Sequence, residues 1–474
     1  MATTATTGTT GTARTARIAS VRVRPTPRWW RDAVGASCWV TVLVVLALWL
    51  HGRGTQGLVS STGAGVTSLG RLTGLVAADL LLVQVFLMAR VPIIERSYGQ
   101  DELARRHRLV GFWSFNLLLA HIVLITVGYA LTAHVGVVSE SWTLVSSYGG
   151  MILAVAATAA LVAVTVTSVR IARRRLRYES WHLLHLYAYL GVGLSIPHEI
   201  WTGQDFISSG LARLYWWSAY AAAAGAVVVF RVGLPILRTL RHGLTVTSVV
   251  RESPDVVTVR MGGRGLHRLP ARAGQFFIFR FLDGPGWSRG NPYSLSAAPR
   301  HDRLQITAKD LGDGSNRLAG LRPGTKVLLE GPYGKLTGEQ RVGSKVAMIA
   351  SGIGITPMRA LLEDLPYQPG DAVLIYRAHS EPDLVFRNDL DALGRERGIS
   401  LHYLTGSRGD GVDAWLPRNR PSLRGGNAIS QLLPRLDEYD VFVCGPDPWM
   451  DSVCAAALTA GLPPGQLHVE RFTW

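Results

Sequence analysis

Four histidines stand inside apolar sequence in the first half of the chain, and they fall into two pairs. His107 and His121 are 14 residues apart, and His185 and His198 are 13 apart. On a helix rising about 1.5 Å per residue these intervals span roughly 21 and 20 Å, and at about 100° per residue His107 and His121 lie roughly 40° apart, on one face. Two imidazoles on facing helices, one on each side of a flat macrocycle, form a six-coordinate haem b site in a bundle core. The spacing therefore provides for two stacked sites, His107 with His185 and His121 with His198. A single intramembrane histidine serves equally well as a hydrogen-bonding strut between helices; four at matched depths favour ligation. No CxxCH occurs, so covalent haem attachment is not expected.

The second pair carries a geometric demand. Thirteen residues on a straight helix leave His185 and His198 about 140° apart, so the axis is expected to distort, with Pro197 as the cause. His182, one turn before His185, is a competing ligand. Its interval to His198 is about 24 Å, a poorer match to the first pair, and it is read as a packing or propionate-facing residue.

These histidines need membrane-grade helices to carry them. Six apolar runs lie between Ala33 and about Ile236: "WVTVLVVLALWL", "LVAADLLLVQVFLMA", "GFWSFNLLLAHIVLITVGYAL", "GGMILAVAATAALVAVTVTSV", "WHLLHLYAYLGVGLSI" and "YWWSAYAAAAGAVVVF". Each approaches the roughly 20 residues that cross a bilayer, so six transmembrane helices are expected. The net charge of +16 is distributed to match. Segments 1–32, 90–108 and 170–177 hold 16 Arg and no Lys, whereas 51–71, 131–147 and 199–213 hold 3 Arg. The positive-inside rule puts the N-terminus, the first set of loops and the second half of the chain in the cytoplasm of a bacterial-type plasma membrane. The basic surplus thus encodes topology, and a nucleic-acid partner is not expected. The Thr/Ala-rich leader reads as a disordered basic tail preceding a retained first helix. Cys38, Cys444 and Cys454 are too few and scattered for a disulfide framework or an all-cysteine iron–sulfur cluster.

After Arg241 short β-rich runs separated by Gly, Pro and Asp predict a small antiparallel barrel over 242–340, and from Ser344 strands alternate with helices as in a parallel α/β sheet over 341–474. Residues 1–32 are the tail and 33–238 the six-helix bundle. In "SGIGITP", Gly352 and Gly354 occupy a strand-to-helix turn with Pro357 at the helix start, letting backbone N–H groups approach a pyrophosphate. "VFVCGPDPWM" brings Cys444, Gly445 and Pro446 to a later strand end, where a nicotinamide could lie. In "NPYSLSAAP", Tyr293 could flank a flavin ring and Ser294 bond it; "KDLGDGS" offers Lys309, flexible glycines and Ser315 to a diphosphate. Arg377, after the strand "AVLIY", is either a 2′-phosphate partner or a solvated arginine; the nucleotide is written NAD(P)H, with a lean to NADPH.

Together these stretches resemble the ferric reductase and NADPH oxidase superfamily, from the first helix to Trp474. The likeness rests on "ARVPIIER", "HRLVG", "RYESWHLLH", "NPYSLSAAP", "LGDGS", "GPYG", "SGIGITP" and "CGPDPWM". The resemblance implies a six-helix, two-haem bundle followed by a flavin barrel and a ferredoxin-reductase-type nucleotide domain. It implies that His107, His185, His121 and His198 ligate iron, and that Pro292, Tyr293, Ser294, Lys309, Gly312 and Ser315 contact FAD. It further implies that Gly352, Gly354, Thr356 and Pro357 hold the dinucleotide. Phe472 matches the family's closing aromatic, which shields the flavin until nicotinamide displaces it; Trp474, two residues further on, is the other candidate ring. Two departures bear on activity. Asn291 replaces the Arg or His that opens the flavin motif in many relatives. Ile125 occupies the position of an extra histidine that helps form the oxygen pocket in the oxidases. The expected acceptor is therefore ferric iron; superoxide production and electron relay to a separate periplasmic protein are the alternatives.

Overall fold

The computed structural model describes residues 28–169, 178–207, 209–284, 286–310, 315, 317–423 and 427–471. Gly312, Phe472 and Trp474, the leader and the arginine-rich segment 170–177 lie outside the described residues. The described residues divide into two compact units, the first within Thr26–Leu234 and the second from Pro235 onward.

The first unit is helical. Its long elements are α1 (Arg28–His51), α2 (Thr62–Met88), α3 (Gln100–Ala133), α4 (Met151–Ser168), α5 (Tyr178–Thr202) and α6 (Gly210–Ala226), which continues through a π-helical stretch, Val227–Gly233. Among the described residues five helices are long and apolar enough to cross a membrane: Trp29–His51, α2, α3, α4 and Gly210–His242. The sequence reading counted six. The remaining one, α5, is 25 residues long, but His182, His185, His198 and three tyrosines dilute its apolar character. Pro197 lies inside α5, which continues to Thr202. A further helix, Val137–Ser147, forms in the connection after α3.

Glycine governs how α2 and α3 pack. A Cβ on Gly63 would stand 2.5 Å from Thr132 Oγ1, and one on Gly128 2.3 Å from Thr67 Oγ1. With no side chains in the way the two backbones approach closely, the usual means of joining helices where the lipid supplies no hydrophobic drive. Between the histidines of α3, Gln84 Nε2 donates to Ser114 Oγ at 2.7 Å and ties the pair together.

The second unit opens with helix α7 (Leu234–His242), then β1 (Thr245–Ser253), β2 (Val256–Gly262), β3 (Phe276–Phe281), β4 (Asn291–Ser294), β5 (Arg303–Lys309) and β6 (Val327–Tyr333). Where one antiparallel barrel was expected, the ladders form two three-stranded sheets, β1-β2-β5 and β4-β3-β6. Single bridges, Leu295 to Ile306 and Thr245 to Lys326, join them. Phe277, Phe279, Leu295, Leu304 and Ile306 fill the space between the sheets.

The parallel sheet expected from Ser344 onward is present, in the order β11-β10-β7-β8-β9. Its strands are β7 (Lys345–Ser351), β8 (Ala372–Ala378), β9 (Ser400–Thr405), β10 (Tyr439–Cys444) and β11 (Leu467–Glu470), the last not foreseen. The chain steps outward from β7 to β8 to β9, then returns to β10 on the other side of β7. The resulting switch point opens a crevice at the strand C-terminal ends, the place where such sheets bind ligands. Helix α8 (Ile355–Asp364) follows β7, α9 (Arg387–Arg397) follows β8 and α10 (Asp447–Thr459) follows β10. Helix α9 begins at Arg387, after a Ser380/Asp383 capping box closes a separate turn and Phe386 takes φ 65°.

Candidate functional site

Within the helical unit the structure brings His107 beside His185 and His121 near His198. The ring centroids of His107 and His185 are 5.9 Å apart with the planes inclined by 66°. His121 and His198 are close enough to interact electrostatically. An imidazole bound to iron through Nε2 puts its ring centre roughly 3 Å from the metal, given a metal–nitrogen bond near 2 Å. Two rings on opposite sides of one iron then stand about 6 Å apart, and the His107–His185 separation suits that span.

The second ring nitrogens test the fit further. His121 Nδ1 lies 2.8 Å from the Gly70 carbonyl oxygen. A carbonyl only accepts, so in the neutral ring Nδ1 carries the proton and Nε2 keeps its lone pair. Gly74 makes room for this ring, since a Cβ there would fall 2.4 Å from Nδ1. The same logic applies at His198. Thr202 Oγ1 donates its only hydrogen to the His198 carbonyl at 2.7 Å, so its 2.8 Å contact with His198 Nδ1 is one in which the ring donates. His185 Nδ1 lies 3.2 Å from Ser168 Oγ, which also accepts from Trp181 Nε1. His107 Nδ1 is buried and turned towards the Gln84 backbone without a closed hydrogen bond. Fixing Nδ1 through a neighbour is how proteins orient metal-binding imidazoles, and these residues fit a haem iron. None of the supporting partners, Gly70, Ser168 or Thr202, was identified from sequence.

The helical unit also pairs acids with phenol or guanidinium partners, and two of them, Asp79 and Asp205, are buried. Asp79 accepts from Tyr215 Oη at 2.6 Å, Glu199 accepts from Tyr220, and Asp205 pairs with Arg71 at 2.6 Å.

In the second unit the two glycine motifs meet at the switch point. A Cβ on Gly354 would lie 2.3 Å from the Cys444 carbonyl oxygen, and one on Gly445 2.8 Å from Trp449, so both positions require glycine for backbone-close packing. Gly352 has φ 55° and open space where a side chain would be, leaving its backbone accessible. Thr356 Oγ1 bonds the Ile353 carbonyl at 3.0 Å, and Pro357 is buried in the first turn of α8. A cavity of about 310 Å³ opens here; Lys309, Gly352, Arg377, His379, Arg408 and Pro446 are among the residues lining it. Cys444 is fully buried behind it, and burial holds its thiol well above the usual range, with Glu470 adding to the shift.

Other expected contacts differ. Arg377 is not solvated: it is 6% exposed and donates to the carbonyls of Ala378, Leu404 and, at 2.6 Å, Gly406. Arg408 reaches the Ala414 and Pro448 carbonyls, each at 2.9 Å. Lys309 pairs with Asp255 at 3.0 Å, and Ser315 Oγ with Asp310 at 3.3 Å. On β4, Pro292 and Tyr293 pair with Ile278 and Phe277 of β3. Burial pushes the Tyr293 phenol up to about 12. Ser294 Oγ is buried with no hydrogen-bond partner among the described residues, so its hydroxyl has capacity for a ligand contact.

Comparison with known proteins separates the halves in the same way. Residues 73–196 match the ferric reductase like transmembrane component, and residues 348–455 the oxidoreductase NAD-binding domain. Ferredoxin–NADP reductase B of Sorangium cellulosum is 31% identical over 216 residues, 42% of this chain and 84% of that protein. The ferredoxin reductase component of 3-ketosteroid-9-alpha-monooxygenase from Rhodococcus rhodochrous is 28% identical over 239 residues, 48% of this chain; the chain spans 64% of that relative's length. Among solved structures, a ferredoxin NADP+ reductase from Neisseria gonorrhoeae with bound FAD and NADP aligns with 23% identity and TM-score 0.41, over 49% of this chain and 99% of that one. The chain thus joins a ferric reductase like transmembrane domain to a ferredoxin-reductase-type nucleotide-binding domain, the fused arrangement of the ferric reductase-like superfamily.

Proposed function

We propose that this chain takes reducing equivalents from cytoplasmic NAD(P)H through FAD and two haem b groups to an acceptor outside the membrane, ferric iron. The observation that carries the reading is the pairing of His107 with His185 at 5.9 Å, together with Nδ1 contacts that leave Nε2 of His121 and His198 for a metal. FAD supplies the conversion of a two-electron hydride into single electrons that haem iron accepts.

The chain's own residues do the positioning. His107 and His185 hold the inner iron, His121 and His198 the outer. Gly70 and Thr202 keep two of these rings in the ligating tautomer. Gly352, Gly354, Thr356 and Pro357 seat the dinucleotide at the start of α8, and Gly445 and Pro446 bring the Cys444 strand end beside the nicotinamide. Pro292, Tyr293 and Ser294 hold the flavin ring, Lys309, Gly312 and Ser315 its pyrophosphate, and Phe472 covers its face. The preference for iron over oxygen draws support from Ile125, whose side chain and backbone pack on Gly70 and leave an aliphatic group one turn beyond His121.

The test is NAD(P)H oxidation by the purified full chain, with oxygen present or absent and with or without ferric citrate, while the haem bands are followed. Ferric-dependent turnover in anaerobic solution is expected. Colourless protein after expression with haem supplied would overturn the reading, and turnover that needs oxygen alone would replace iron as the acceptor.

A further inference from the structure

Helix α7 is amphipathic with its faces reversed for a water-soluble domain. Its polar residues face the neighbouring sheet. Thr239 Oγ1 accepts from Leu329 N at 3.1 Å, Arg238 donates to the Gly331 carbonyl, and His242 is buried with Nδ1 2.9 Å from the Arg264 carbonyl. Its apolar residues face away: Ile236 is 54% exposed, Leu237 60% and Leu240 70%. Val232, Ile236 and Leu240 follow one another at four-residue intervals and so form one stripe. The stripe forms the last turns of the apolar span Gly210–His242.

Cations surround the end of this stripe. Arg264 N donates to the His242 carbonyl at 2.7 Å, and Arg264 Nη2 lies 3.4 Å from the Leu240 carbonyl, fixing the loop 263–268 against the helix terminus. A guanidinium there also suits the negative end of the helix dipole. Arg241, Arg264 and Arg268 are exposed, and none of the ion pairs among the described residues involves them. An exposed apolar stripe bordered by unneutralised arginines, continuous with a membrane-grade helix, has the chemistry of an interfacial segment.

We propose that α7 and the loop 263–268 form a docking surface for anionic phospholipid: Ile236, Leu237 and Leu240 enter the acyl boundary, and Arg241, Arg264 and Arg268 bind headgroup phosphates. The surface holds the start of the second unit against the bilayer and makes its seating depend on lipid charge. This inference rests on the membrane assignment alone and stands or falls separately from the electron-transfer reading.

The test uses the full chain purified in detergent and titrated with phosphatidylglycerol or phosphatidylcholine, with retained lipid counted by native mass spectrometry. Each arginine near an anionic surface contributes about fivefold. Wild type should therefore retain phosphatidylglycerol well above phosphatidylcholine, and the Arg241→Gln/Arg264→Gln/Arg268→Gln variant should lose roughly a hundredfold of that preference. Arg264 also caps α7, so Arg268→Glu, which touches no helix carbonyl, serves as the second variant and should lose at least about fivefold. Leu237→Ser/Leu240→Ser should weaken both lipids alike and spare the preference. Equal retention of the two lipids by wild type would overturn the proposal, as would an undiminished preference in Arg268→Glu. So would full competition by soluble glycerol phosphate, which would indicate a free-phosphate site instead of a lipid surface.

Discussion

The histidine site of the helical unit and the glycine turns of the parallel sheet are built from opposite materials. In the first, side chains carry the chemistry and the backbone orients them: the Gly70 carbonyl fixes His121, and Thr202, itself bonded to the His198 carbonyl, fixes that ring. In the second, the backbone forms the site, and the absence of side chains at Gly352, Gly354 and Gly445 shapes it. The difference teaches where each site is fragile. A ligand site fails when a ring is lost or turned; a backbone cradle fails when a methyl group is added.

The largest effect should follow removal of a ring. His121→Ala deletes one of two ligands at its level while leaving His107 and His185 untouched. The haem absorbance per protein is expected to fall by about half, with transmembrane electron transfer abolished and flavin reduction by NAD(P)H retained. A pyridine haemochrome assay beside a flavin bleaching trace checks both. Full haem content in this variant would break the assignment of His121.

Adding a methyl group tests the other half. In Gly354→Ala the new Cβ would meet the Cys444 carbonyl at 2.3 Å, with backbone on both sides that has no room to move. Overpacking of this kind costs about 3 kcal/mol, and the parallel-sheet domain should unfold at correspondingly lower denaturant while haem content stays unchanged. Gly74→Ala is the matched change in the helical unit, since its Cβ would fall 2.4 Å from His121 Nδ1. It should reduce haem occupancy at that level and spare the nucleotide domain. Thermal melts and haem spectra of the two variants, read side by side, check whether each defect stays in its own unit.

A smaller effect is expected from the orienting partners. Thr202→Val keeps the volume near His198 but removes the acceptor for Nδ1–H. Loss of such a partner lowers metal-site affinity about 10–100-fold, so haem should dissociate faster from this level, with Thr202→Ser restoring it. Equal dissociation rates in Val and Ser variants would show that the hydroxyl does not orient the ring.

How much of this was legible beforehand follows from the same contrast. An imidazole in an apolar run is conspicuous, and intervals of 14 and 13 residues convert directly into matched depths. Glycine turns were legible because each follows a β-rich run and precedes a helix or a Pro-containing turn. The supporting partners were not, because they come from segments far apart in sequence: Gly70 is 51 residues from His121, and Asp79 is 136 from Tyr215. Periodicity within one helix carries no information on which carbonyl a neighbouring helix presents. Arg377 illustrates the same limit. Its place after β8 suggested a phosphate partner or a solvated side chain, whereas the carbonyls of Leu404 and Gly406, contributed by the end of β9, occupy its guanidinium.

The smallest expected effect is one of pH, and it separates a buried side chain from the exposed backbone around it. Cys444 ends β10 inside the sheet, where burial and the neighbouring Glu470 both raise its thiol well above the usual range. Ionisation is thus disfavoured in the folded state. The folded protein keeps the proton where an unfolded cysteine, near 8.5, would release it. The associated stability is intact below that value and is lost as the pH climbs towards the folded one. Between pH 6 and 8.5 the group stays a neutral thiol, so the rate of flavin reduction by NAD(P)H should carry no limb that belongs to Cys444. Cys444→Ser should lower or spare the rate by the same factor across that range, as stopped-flow traces at several pH values would record. An alkaline limb present in wild type and missing from Cys444→Ser would mean that a thiolate takes part, and that the strand end is open to water in a way the packing around Gly354 and Gly445 does not allow.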